Sequence, residues 1–395
     1  MDLQFSNTAS PRRFSLTIGD PFTVRDAPKG EYFIHPWLSH LANGRLLLML
    51  NRDTDIMDME YCVLTSGDGG NSWESMPGWP MGDGAGRHLR SEHVSLPDGR
   101  SFVASRFLVA TGGKNEYILP AWISTADGES WSRIEPTPFE FPFGYSGDFS
   151  EPSTSLFGMY REKPTELMKG FFKEFGSRWM VGLLWHLHPL DESTLLAFVY
   201  ASTHPQRPGP RYVTVCLQSH DFGQSWSVRS VPGPYDPAHE AINRHKKPVD
   251  GLCEPSVTRL RNGDHFLVMR MGAWKGLYTA RSADGCRTWT RPRPISVFGI
   301  LPTVLTLPDG VLALASGRPD NTLSFSLDDG ESWPWTYRLL DQTDTLHPST
   351  RNSTLIQVEP NRLLYLYDRG YRRPDPEVHV THGVDGTFIK IEAAP

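Results

Sequence analysis

Six stretches of the chain share one pattern of apolar and polar positions: an apolar run, a turn built on Leu-x-x-Gly, and a second apolar run. They are His35 to Leu50, Arg90 to Arg106, Leu184 to Tyr200, Glu254 to Arg270, Leu301 to Ser316 and Asn352 to Asp368. The turns read Ala42-Asn43-Gly44, Pro97-Asp98-Gly99, Arg261-Asn262-Gly263, Pro308-Asp309-Gly310 and Glu359-Pro360-Asn361. In the third stretch Leu190-Asp191-Glu192-Ser193 is a weaker match. Short apolar runs separated by such turn residues predict six antiparallel strand pairs.

Between these pairs a second unit recurs. Ser66 to Trp73, Ser219 to Trp226 and Ser326 to Trp333 keep a Ser-x-Asp-x-Gly-x-Ser-Trp frame. Ser282 to Trp289 keeps Asp284 and Thr288 but carries Cys286 at the glycine place, and Ser124 to Trp131 has its acid displaced to Asp127. Thr381 to Phe388 is a worn sixth copy, with Gly386, Thr387 and an aromatic. The octet predicts a hairpin: Asp and Ser bind backbone amides, Gly takes the positive φ, and Trp folds back as an apolar plug. Its acids therefore serve structure rather than catalysis. The octet resembles the Asp-box, or BNR repeat, of the sialidase superfamily, in which it joins the outer strands of propeller blades. Repeats at this spacing decide the architecture. The expectation is an all-β, six-bladed β-propeller of four-stranded antiparallel blades, occupying residues 1–395 as one domain.

Phe14 to Val24 precedes the first pair and is expected to complete the last blade, because an open ring would leave an exposed edge. Two insertions interrupt the array, about 136–177 and 232–249. The first includes a short helix expected over Pro164 to Phe175; the second carries His239, His245, Lys246 and Lys247. Either roofs the central channel or merely decorates the surface.

Composition fits this reading. With 38% hydrophobic residues, 12 Trp and 20 Phe, the chain fills a core, and 35 Gly with 33 Pro suit a turn-rich β protein. A net charge of −6 disfavours nucleic acid and membrane surfaces as general partners. Residues 1–13 lack an apolar targeting segment, which leads to an expectation of cytoplasmic location. Cys62, Cys216, Cys253 and Cys286 have neither metal nor disulfide-framework spacing, and no cofactor is expected.

Aligning the six pairs on the turn glycine compares equivalent positions. Nine places before it stand His35, Arg90, Leu184, Glu254, Leu301 and Asn352. Past the second strand come Arg52, Arg106, Tyr200, Arg270, Arg318 and Arg369. Inner strands of a propeller crowd one axis, so both sets are expected at one end of the channel. Five arginines there point to an anionic ligand. The alternative, strongest for Arg106 and Arg369, is pairing with local acids that locks blades together.

The resemblance to sialidases extends to these positions. Arg52, Arg270 and Arg318 match arginines of the family site, and Glu254-Pro255-Ser256 matches the segment whose Glu polarises the catalytic Tyr. The family's acid/base Asp follows Arg52, where this chain offers Asp53, Asp55 and Asp58, with Asp58 the first choice and Asp55 the second. Two positions depart. Ile34 stands where the family's first clamp Arg does, removing a charge-assisted hydrogen bond of about 1.5–3 kcal/mol. Asn352 replaces the Tyr nucleophile. What remains is a pair of carboxylates facing an arginine-rich wall, as glycosidic cleavage requires.

The residues thus read as an exo-acting glycoside hydrolase for a terminal, acidic sugar. Asp58 or Asp55 is the acid, Glu254 the base or nucleophile, and His35 an alternative base. Arg52, Arg90, Arg270, Arg318 and Asn352 bind substrate. Three alternatives stay open: an arabinanase-like glycosidase for a neutral sugar, a uronic-acid polysaccharide lyase, and a non-catalytic glycan- or protein-binding propeller. Trp37, Trp185 and Trp274 suit either sugar stacking or a propeller core. Glu151, in a second Glu-Pro-Ser, is a further candidate from the long insertion. His88, His93, His186 and His188 lack metal-site spacing.

Overall fold

The computed structural model describes residues 2–7, 10–28, 33–52, 60–76, 78–80, 88–89, 91–113, 115–124, 128, 130–141, 147–148, 170, 173–174, 179–202, 212–233, 251–272, 275–318, 320–339, 352–369 and 383–394. Asp53, Asp55, Asp58, Arg90, Glu151, Trp274, most of both insertions and most of the expected helix over 164–175 lie outside them.

Each expected turn closes a strand pair. Leu41, Leu96, Leu190, Leu260 and Leu307 donate their amides across the turn to the carbonyls of Arg45, Arg100, Thr194, Asp264 and Val311 at 2.7–2.9 Å. The weak third copy closes the same strand pair without a residue at positive φ, Asp191 Oδ1 accepting the Ser193 amide. The resulting inner pairs are Phe33–His40 with Leu46–Arg52, Ser91–Ser95 with Ser101–Ser105, and Trp179–Pro189 with Leu195–Ser202. Around the ring follow Cys253–Arg259 with His265–Arg270, Ile300–Thr306 with Leu312–Gly317, and Ser353–Glu359 with Arg362–Asp368.

Two further strands complete each of six antiparallel sheets. Each innermost strand contacts those of its two neighbours, and the sixth returns to the first, closing the ring. One apolar core lies between every neighbouring pair of sheets. The architecture is the expected β-propeller, its faces glued by burial of side chains such as Phe102, Phe198, Phe266 and Phe325.

The Asp-boxes are built as the sequence predicts. In three copies the first Ser Oγ accepts the Gly amide at 2.8–2.9 Å, and the Asp binds both the amide and hydroxyl of the second Ser. The Trp indole closes the loop on the Gly carbonyl at 3.1–3.2 Å. These bonds hold the Asp68 carboxyl down at about 2, the Ser72 hydroxyl contributing most. The fourth copy keeps the same frame around Asp284, with Cys286 at a positive φ of 66° and Trp289 bonded instead to Ser230 of the third sheet.

The boxes also fix why glycine stands there. At Gly330, with φ +88°, an added Cβ would lie 2.4–3.1 Å from the ring of buried Phe266 in the neighbouring sheet. Gly330→Ala is expected to destabilise by about 2–4 kcal/mol, combining left-handed strain and overpacking. Denaturant unfolding checks this; a loss under about 1 kcal/mol would remove the packing explanation.

Three features depart from the sequence reading. Gly383–Ala394 is one unbroken strand, so the worn octet at Thr381 to Phe388 forms no hairpin. None is needed, because the sixth sheet's outer strands come from the other end of the chain: Ser10–Ile18 and Phe22–Asp26 both pair with Gly383–Ala394. The expected closure by Phe14 to Val24 is present, and Asp2–Asn7 adds a strand outside it. The third sheet is also wider than four strands. Phe107–Ala110, Glu116–Ile118, Phe139–Glu140 and Gly147–Asp148 join it, carrying the chain from the second blade onto the third.

One buried and two half-buried histidines couple this fold to pH. Burial pushes His93 down to about 3, with His40 adding to it, His186 to about 4, and His188 to about 3. His93 is bonded to Ser39 Oγ through Nδ1, and His188 meets His265 edge-on at 5.2 Å. The unfolded chain takes up protons near pH 6.5 while these folded rings stay neutral. Stability is therefore complete above about pH 6.5 and falls as the pH drops from there towards 4. Each group contributes at most about 1.4 kcal/mol per pH unit. His186 and His188 are half-buried and repel each other's charge, so the sum is below that of three independent groups. Urea midpoints at pH 7.5, 6.5 and 5.5 should decline in that order; a constant midpoint would contradict the mechanism. Among the described residues, no group of His, Cys, Asp or Glu is placed to hold a metal ion.

Candidate active site

Strand register separates the ends of the propeller. Leu46, at the start of its strand, pairs with Ser66 at the entrance of the first Asp-box, so inner turns and Asp-boxes share one end. His35, Glu254, Leu301 and Asn352 begin their strands at the other.

There the backbone takes an unusual form three times over. His35, Glu254 and Leu301, each followed by proline, have φ values of 52°, 50° and 48°. Register shifts at Ile34/Trp37, Cys253/Ser256 and Ile300/Thr303 show a bulge at each, two residues facing one. Arg318 nearby has φ 50°. Left-handed conformations at non-glycine residues cost about 1–2 kcal/mol each, and local strain of this kind collects at functional sites. Of eight such residues among those described, three sit in Asp-box turns and these four at the opposite end.

Carboxylates hold the bulges. Glu254, 4% exposed, bonds Arg270 Nη1 through Oε1 at 2.5 Å and accepts the Leu301 amide through Oε2 at 2.8 Å. It therefore spans the fourth and fifth sheets. Below it Ser256 Oγ accepts the Val304 amide and Thr258 Oγ1 the Thr306 amide, each at 3.1 Å, continuing the same seam. Asp368 does the equivalent work between the sixth and first sheets. Its Oδ2 accepts the His35 amide at 3.2 Å and Asn352 Nδ2 at 2.8 Å. Sequence reasoning placed His35 and Asn352 at this end but missed Asp368; the signal was its place beside Arg369 at the end of the second strand.

The arginines divide. Arg106, 1% exposed, pairs with Glu92 at 3.1 Å and lies 3.7 Å over the Trp185 ring. Arg369 pairs with Asp26 and Asp385. Both pair with local acids of their own sheets. Arg270 is engaged by Glu254, and Arg318 is half-buried past the end of its strand. The side chain of Arg52, like Arg90, is outside the described residues, although the Arg52 backbone pairs with Phe33. Tyr200 occupies the one non-arginine place in that ring. Burial, and after it the Glu254 carboxylate, raise its phenol well above the ordinary value.

A family model described as BNR repeat-like domain matches residues 186–379. No curated protein matches the sequence. Solved structures similar in fold include a protein of unknown function from Dyadobacter fermentans, 18% identical, covering 95% of this chain and 99% of its own with a TM-score of 0.61. An α-L-arabinanase of Penicillium chrysogenum in complex with arabinobiose is 14% identical, covering 95% and 98%, with a TM-score of 0.60. An intramolecular trans-sialidase from Ruminococcus gnavus in complex with oseltamivir carboxylate is 14% identical, covering 94% and 97%, with a TM-score of 0.51. At these identities the likeness is one of fold.

Proposed function

We propose that this chain, an Asp-box (BNR-repeat) β-propeller, is an exo-acting glycoside hydrolase that removes a terminal sugar at the end where His35, Glu254 and Asn352 stand. The observation that carries the reading is Glu254. A buried carboxylate is fixed there by a guanidinium and a neighbouring backbone amide, on a strained bulge opposite the structural Asp-boxes. Fixed carboxylates at a channel mouth suit glycosidic cleavage, in which one donates a proton to the leaving oxygen and one activates water or attacks. Glu254 is the base or nucleophile and Asp58 or Asp55 the acid, with His35 as the alternative base. Arg52, Arg90, Arg318 and Asn352 contact the sugar, and Arg270 orients Glu254. The arabinanase and trans-sialidase of like fold support sugar chemistry in this architecture.

Two versions differ in the sugar. An acidic sugar uses Arg52, Arg90 and Arg318 as its clamp. A neutral, arabinose-like sugar is favoured by one observation: Arg106, Arg270 and Arg369 already face carboxylates of the chain itself. Chromogenic arabinofuranosides, sialosides and uronides, offered to wild type and Glu254→Gln, test both versions. Release by wild type with a loss of at least about 100-fold in the variant supports the assignment. Equal release by both proteins removes Glu254 from the chemistry, and no release from any glycoside overturns the hydrolase reading. The neutral version predicts no competition by free sialic or uronic acids.

A further inference from the structure

Charge is spread unevenly along the chain. Residues 255–298, nearly all of the fourth sheet, hold eight Arg and Lys against two Asp, in a chain whose net charge is −6. Strand register puts most of the eight at the Asp-box end. Arg259 pairs with His265, and His265 with Ser282 at the entrance of the box. Arg281 is one row away, Arg261 lies in the inner turn, Arg287 in the box, and Arg293 opens the outermost strand. Arg259, Arg261, Arg287 and Arg293 are exposed. We propose that this end of the fourth sheet anchors an acidic polysaccharide, on the face opposite the site of Glu254.

The guanidiniums here are bonded largely to carbonyls, which satisfies their N–H groups and leaves their charge in place. Arg287 Nη1 donates to the Asp284 carbonyl at 3.0 Å and Arg261 Nη1 to the Asp309 carbonyl at 3.1 Å. Arg229 Nε, reaching over from the third sheet, donates to the Gly285 carbonyl at 2.7 Å. Carboxylates are fewer. Glu331 of the fifth sheet is shared by Arg281 and Arg293, and Asp284 is spent inside its own box on Ser282 and Thr288. Asp309 and Asp329 of the fifth sheet border the patch on one side, their carbonyls bonded to Arg261 and Arg281. Toward the third sheet, His188 is pushed down by burial and then by His186, His265 and Arg259. Donors exceed acceptors far enough that Arg229 Nη2 and Arg281 Nε, both buried, have no hydrogen-bond partner.

Exposed guanidiniums with uncompensated charge take carboxylate or other oxyanion groups in bidentate pairs. Nucleic acid, with one charge per about 1.7 Å, is too densely charged for a chain whose remainder is acidic and repels it. A polyuronate carries a single carboxylate per sugar and meets the arginines without that density. The choice of a glycan rests on the carbohydrate reading above, but the anchor is separate in space from the chemistry. The segment held here is not the end being cut. A polysaccharide with an acidic backbone and neutral branches suits both ends of the propeller at once.

Affinity electrophoresis through gels containing polygalacturonate or neutral arabinan, with duplex DNA as a competitor, tests it. The proteins are wild type, the triple variant Arg259→Gln, Arg261→Gln, Arg287→Gln, and the same three positions changed to Lys. Expected is retardation of wild type by polygalacturonate, weakened about tenfold or more in the Gln variant and again when salt rises from about 50 to 200 mM. The Lys variant keeps the charge and should retain most of the binding, which guards against a folding defect. Any hydrolysis that wild type shows should persist in all three proteins. No retardation of wild type by polygalacturonate, or equal retardation of the Gln variant, overturns the anchor. Full displacement by DNA at a lower concentration than polygalacturonate requires overturns the choice of partner. Arginine-dependent retardation in a protein that hydrolyses nothing upholds the anchor and overturns the hydrolase.

Discussion

Glu254→Ala is expected to lower folding stability by about 3 kcal/mol, in addition to ending activity. The carboxylate neutralises Arg270, whose side chain is 15% exposed, and caps the Leu301 amide. Deleting one partner of such a pair strands the other charge, and an orphaned buried amide adds a further penalty. Glu254→Gln separates structure from chemistry. Its amide oxygen still accepts one of the two bonds, so the stability cost should fall to about 1–2 kcal/mol. Activity should still drop by about 10²–10⁴-fold, because a neutral amide is neither base nor nucleophile. Denaturant unfolding and the glycoside panel read the two effects apart. Equal stability of Glu254→Ala and wild type would mean that the seam between the fourth and fifth sheets does not depend on this residue.

Arg106→Met should cost about 3–5 kcal/mol. It leaves Glu92, 2% exposed, without its guanidinium, and takes away the cation over Trp185. The double variant Arg106→Met with Glu92→Leu should recover most of that loss, since apolar replacement of a buried ion pair is often neutral. Arg106 Nη2 is buried with no hydrogen-bond partner, so the pair is imperfectly satisfied to begin with. A double-mutant cycle gives the coupling directly. A double variant as unstable as the single would show that the arginine matters through Trp185 and not through Glu92.

The sequence displayed its repeats and concealed what passes between them. Turn glycines and Asp-boxes act within three or four residues of themselves, so Gly99 or Asp221 declares its role locally. Aligning on those turns also brought His35, Glu254 and Leu301 to one position, and the structure gives all three the same left-handed bulge. What those residues bind was not legible. Glu254 caps an amide 47 residues away and Asp368 one 333 residues away, distances at which no spacing rule operates. For Arg106 the sequence left an anion-binding ring and pairing with a local acid both open, and only the neighbouring strand shows that the acid is Glu92. The worn octet misled for a related reason: Gly386 and Thr387 lie in a strand whose outer partner comes from the far end of the chain, so no hairpin was required.

That last arrangement has a consequence for synthesis on the ribosome. Thr387 bonds the Gly19 carbonyl across 368 residues of sequence, and residues 10–18 must wait for their partner until nearly all the rest has emerged. Five blades can assemble progressively from neighbours in sequence, whereas the sixth cannot exist until both ends meet. During that wait residues 10–18, which can pair locally with Asp2–Asn7, keep their other edge open, a hazard for association with other nascent chains. The step that seals the ring is thus the slowest contact to find. Once made, it turns an open row of sheets into a circle with no end from which to unravel.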